Sequence, residues 1–235
     1  MDLPSIFYIK QLKIENINFM DLINNMEKYK FNVSKNKGFI NIKNDGIYIS
    51  SEYINSFNYI ENTYDFNSEN LIKKNSKFYN ISKFRIYEDF TLIFFGNNNC
   101  FSSFKKTFFD LFANDIFINN PTISYNRLIK TLKNLDIEFK VEDISFRDLK
   151  INNNFIKEGK FTISNTKEAN NIINNLNKEP FEVGVNFYSK NAIKIYFNIN
   201  LNTGKVSTKY ETINNYIIER IYLFLEELFL EGDYK

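Results

Sequence analysis

The stretch AIKIYFNINL, residues 192–201, decides the fold class. Ile193, Ile195, Phe197, Ile199 and Leu201 alternate strictly with Lys194, Tyr196, Asn198 and Asn200. A period of two sends the first set to one side of a strand and the second set to the other. The strand therefore belongs to a sheet with one dry and one wet face, the pattern of antiparallel rather than doubly covered parallel sheets. Working outward, Phe181–Tyr188 precedes it, and Lys205–Tyr210 follows a turn at Asn202-Thr203-Gly204. The three segments read as a meander.

Helices flank this meander. Asn165, with Glu168 three residues on, forms a capping box ahead of Ala169, Ile172, Ile173 and Leu176. A long last helix is expected over Thr212–Leu230, and Ser124 caps another that turns Leu128, Ile129, Leu132 and Leu135 inward. Strands are expected at Ile137–Ile144 and Lys160–Ile163.

The N-terminal half uses the same ingredients. A strand covers Phe7–Ile14, and Asn16 or Asn18 caps a helix carrying Phe19, Leu22, Ile23 and Met26. A hairpin turns at Asn44-Asp45-Gly46, since Asp-Gly between apolar alternations is a strong hairpin signal. Strands follow at Phe78–Tyr87 and Phe90–Phe95, then a helix from Phe101 to Phe112. Residues 51–77 hold no clean period and read as an irregular excursion. The expected fold class is α+β. Two similar halves, 1–118 and 119–235, each carry a mostly antiparallel sheet with helices on one face, as an internal duplication would.

Composition narrows the chemistry. The chain has no histidine and one cysteine, Cys100. Triads, zinc clusters, haem ligation and CxxC redox chemistry therefore drop out, leaving carboxylates, lysines, tyrosines and hydroxyls. Asparagine occurs 39 times and lysine outnumbers arginine 26 to 4, a bias of A/T-rich codons and hence of an A/T-rich genome. Net charge is only +2. The first residues lack the basic and apolar regions of a signal peptide, no stretch is long enough to span a membrane, and one cysteine makes no internal disulfide. The expected location is cytoplasmic.

Four groups of residues carry candidate functions. Lys73, Lys74, Lys77, Phe78, Tyr79, Lys83, Arg85 and Tyr87 interleave cations with aromatics, as do Tyr188, Lys194 and Tyr196 in the meander. Such mixtures neutralise phosphates and stack on bases. Asn99, Ser102, Ser103, Lys105 and Lys106 surround a helix start, where unpaired N–H groups attract anions. Tyr222, Leu223, Phe229 and Leu230 widen the apolar arc of the last helix and are candidates for a twofold homodimer interface. Glu138-Phe139-Lys140, with Asp115 upstream, has the order of a carboxylate metal site with a charge-stabilising lysine. An E-x-K match is expected about twice by chance among 17 Glu and 26 Lys, and it occurs twice.

The sequence reading is a non-catalytic recognition protein without cofactor, with nucleic acid slightly ahead of protein as its target. The alternatives are a metal-dependent nuclease or phosphoesterase built on carboxylates, and a subunit that assembles through its last helix.

Overall fold

The computed structural model describes residues 6–14, 17–112, 116–135, 138–151, 154–188, 194–209 and 215–230. In chain order come β1 (Ile6–Ile14), α1 (Phe19–Lys28), β2 (Lys37–Asn44), β3 (Tyr48–Asp65), β4 (Asn70–Tyr87), β5 (Thr91–Phe95) and α2 (Asn98–Leu111). Then follow β6 (Ile116–Asn119), α3 (Tyr125–Asn134), β7 (Glu138–Ile151), β8 (Asn154–Thr162) and α4 (Thr166–Leu176). The chain continues through β9 (Glu182–Tyr188), β10 (Lys194–Asn200), β11 (Lys205–Lys209) and α5 (Asn215–Leu230). The class is α+β: among the described residues five helices accompany strands joined by antiparallel ladders. Contacts gather the chain into two compact units that interleave along the sequence. One comprises residues 1–13, 89–97 and 118–235, the other residues 14–88 and 98–117.

In the first unit the strand order is β5-β1-β11-β10-β9-β7-β8. The alternation holds on the dry face, whereas Tyr196, Asn198 and Asn200 on the other face are half-buried rather than wet, and Asn186 across from Tyr196 is buried. Phe197 and Ile199 are buried opposite Val185 and Val183. Phe187 packs on Phe197 at 4.4 Å between ring centroids and on Phe224 of α5 at 5.1 Å. Helix α4 starts at its Asn165 cap, whose side chain accepts from the Glu168 amide at 3.0 Å. The Glu168 carboxylate reaches one residue further back than expected, accepting from the amide and hydroxyl of Ser164. Those two donors hold its carboxyl below the usual carboxylate range.

The last helix corrects the interface reading. Tyr222 and Phe229 are buried inside their own unit, and Tyr222 meets Phe7 edge-on at 5.9 Å. The arc is wide because α5 is covered on most sides. Of the four proposed interface residues, only Leu223 is seen at the surface, 50 % exposed. The side chain of Leu230 lies outside the described residues.

The second unit pairs β2, β3 and β4 and packs α1 and α2 against them. Asn18 and Asp21 cap α1 reciprocally, each side chain accepting from the other's amide. The turn between β2 and β3 has Gly46 at φ 86°, a left-handed conformation that glycine adopts without steric cost. Helix α2 buries Phe104, Thr107 and Phe108 over Phe39, Tyr53 and Phe84.

The irregular excursion expected at 51–77 is instead regular. Strands β3 and β4, 18 residues each, pair without interruption from Tyr48↔Tyr87 to Asp65↔Asn70. The ladder with β2 stops at Asn55, and from Phe57 to Phe78 every residue except Asp65 and Ser76 is exposed. A ribbon wet on both faces has no reason to alternate, and Asn, Glu and Lys are poor strand formers. Period-based reading is blind to it. A turn closes the ribbon, with Asp65 accepting from the Asn67 amide and the Ser68 hydroxyl. The β7–β8 pairing likewise extends through residues 145–151 and 154–159, well past the strand ends read from the sequence.

Candidate functional site

A strand sends alternate residues to opposite faces, so the β3–β4 register sorts every side chain of the ribbon. One face holds Ile49, Ser51, Tyr53, Phe84 and Ile86, all buried, and it lies on the α2 side. The opposite face carries Lys73, Lys77, Lys83 and Arg85 of β4, all odd-numbered, and Lys43 of β2 joins it beside Ser50. Glu52, across from Lys83, is the one carboxylate that β3 and β4 place on this face. From Lys73 to Arg85 the stripe runs about 40 Å, twelve residues at strand rise.

Aromatic rings support these cations. Arg85 lies over the Tyr48 ring at 4.6 Å and Lys77 over Tyr79 at 5.8 Å. Lys77 also donates to the Asn36 side chain. Tyr79 in turn packs edge-on against Phe31 at 5.9 Å. Three members of the predicted set that lie on β4 do not join the stripe. Tyr87 faces the same way but is buried, 5.4 Å from Tyr48, so it has no free ring face for a base. Lys74 and Phe78 sit on the opposite face, across from Glu61 and Phe57. Lys43 and Tyr48 were missed in the sequence, although the shared odd parity of Lys73, Lys77, Lys83 and Arg85 was there to see.

Lys194 and Tyr196 belong to the other unit. The Lys194 side chain lies outside the described residues. Tyr196 donates its phenol to Asp143 Oδ2 at 2.9 Å, and Lys160 stands 3.1 Å from Asp143 Oδ1. Burial first, then the Asp143 carboxylate, pushes this phenol well above its ordinary range. The bond crosses over Gly184: a Cβ there would lie 2.4 Å from the Tyr196 hydroxyl and 2.7 Å from the Asp143 carboxyl. Gly184→Ala should therefore break the pair and cost about 1–3 kcal/mol of stability, the usual penalty of overpacking. Urea unfolding measures it, and an unchanged midpoint would show that the cluster yields freely.

The anion-binding set does not converge. Asn99, Ser102 and Lys106 are exposed on α2, while Ser103 turns inward to the Tyr53 hydroxyl at 2.8 Å. Lys105 folds over the Phe101 ring at 5.3 Å. Glu138 and Lys140 lie on β7, with Lys140 3.7 Å from Glu142, and Asp115 is outside the described residues. Among the described residues no three of Asp, Glu and Cys gather closely enough to hold one ion. Among them, too, no helix is long and apolar enough to cross a membrane. No known family profile matches the chain, and no curated protein is significantly similar to it.

Proposed function

We propose that the protein binds nucleic acid without catalysis, holding the phosphate backbone on the face of the β3–β4 ribbon that carries Lys73, Lys77, Lys83 and Arg85. The observation that carries this reading is the register: it lines up four cations along one face and leaves Glu52 as their single carboxylate. A solvated strand face in a near-neutral protein with 30 cations and 28 carboxylates would mix the signs more evenly. A two-stranded ribbon also has the dimensions to lie in a major groove. With only Arg85 as a guanidinium in the set, backbone contact rather than base readout dominates, and binding is largely independent of sequence.

The test is the salt dependence of affinity for a mixed-sequence duplex. Each neutralised phosphate releases counterions, so four contacts give a slope of log K against log salt of about −3.6. Absence of binding at low ionic strength would remove the reading and leave protein recognition in its place.

A further inference from the structure

The distal ribbon also exposes rings on the face opposite the cations. Phe57 and Phe78 are cross-strand partners, their rings nearly parallel (23°) at 5.8 Å, and Tyr59 stands edge-on to Phe78 at 6.1 Å. All three are about half exposed. They continue the face that α2 covers nearer the root of the ribbon, where Tyr53 and Phe84 are fully buried. On the same face Lys74 follows one rung beyond Tyr59, opposite Glu61. The turn at the tip carries Asp65 and Glu69, so an anionic backbone sits along the ribbon rather than at its end.

We infer that Phe57, Tyr59 and Phe78 are a base-stacking platform and that the preferred ligand is single-stranded nucleic acid. This rests on the backbone-binding reading above and adds the form of the ligand. Half-exposed rings meet unpaired bases, whose π-faces a duplex keeps stacked. A flexible single strand can turn round the edge of a two-stranded ribbon, so that its phosphates meet one face and its bases the other. Glu61 balances Lys74 on this face, so it attracts through rings rather than through net charge. The contribution of the platform should then be insensitive to salt, whereas that of the lysine stripe is not.

Fluorescence anisotropy with labelled oligo(dT), and with a mixed-sequence duplex of equal phosphate number, tests this on the full chain. Phe57→Leu/Phe78→Leu keeps apolar bulk and removes two π-faces, and Phe57→Ser/Tyr59→Ser removes bulk as well. Both should weaken oligo(dT) binding about tenfold or more while leaving its salt slope and the duplex affinity unchanged. Far-UV circular dichroism checks that each variant is folded. Equal losses for strand and duplex, or no loss for either in a folded variant, would overturn the inference and leave the lysine stripe standing. A wild-type dimer that these substitutions dissociate would also overturn it, assigning the platform to a second copy. If neither nucleic acid binds at low salt, the backbone-binding reading fails first, and this inference with it.

Discussion

Phe104→Ala should lower the free energy of unfolding by about 3–5 kcal/mol, the range for deleting a buried ring. Phe104 is fully buried where α2 crosses the ribbon root. Its ring meets Phe108 at 4.7 Å, Phe84 at 5.0 Å, Tyr53 at 5.6 Å and Phe39 at 6.2 Å. The tilted and edge-on contacts add to the area term, and the cavity cannot collapse while four other rings hold its walls. Against a total stability of about 5–15 kcal/mol, such a loss is a large fraction of the whole. Binding should weaken too, because Tyr53, the buried anchor of the ribbon, packs on Phe104 and bonds to Ser103 and Thr107 of α2. The chain has no tryptophan, so tyrosine fluorescence or far-UV circular dichroism in urea reports the change. A loss below about 1 kcal/mol would mean that α2 is not seated on this face.

What was legible in the sequence follows the places where one physical constraint acts alone. The strand over 194–200, the cap at Asn165, the cap at Ser124 and the Asp-Gly turn are each set by burial on one face or by a local hydrogen bond. All stand where the sequence reading put them. The ribbon obeys neither constraint. From Phe57 to Phe78 polar and apolar residues share both faces, and what specifies the pairing is a backbone ladder fixed at its root by Tyr53, Phe84 and Ile86. That information is tertiary. The last helix misled for the converse reason: Tyr222 and Phe229 are as apolar as interface residues, and only the core around them shows that they are already covered. The basic site was half visible. Lys73, Lys77, Lys83 and Arg85 were picked from composition, but Lys74 parted from them once the register was known, and Lys43 joined from β2.

Contact between that face and phosphate is what separates nucleic-acid binding from protein recognition. Reversing four cations removes their contacts and sets four carboxylates against the backbone. Non-specific nucleic-acid binding of about 10⁻⁴–10⁻⁶ M should then weaken by about a hundredfold or more, out of practical reach. Folding should survive. Lys73, Lys77 and Lys83 are exposed, and Arg85→Glu gives up a contact with Tyr48 of about 0.5–1 kcal/mol. Lys28→Glu/Lys130→Glu/Lys133→Glu/Lys157→Glu, reversing four exposed lysines of α1, α3 and β8, is the matched control for general charge. The decisive measurement is the affinity of the Lys73→Glu/Lys77→Glu/Lys83→Glu/Arg85→Glu chain for mixed-sequence nucleic acid at low salt, beside wild type and this control. The ribbon account predicts that the fourfold variant, still folded by its melting curve, loses binding and its salt slope while the control keeps most of both. Equal binding by a folded fourfold variant, or equal losses in variant and control, would contradict it.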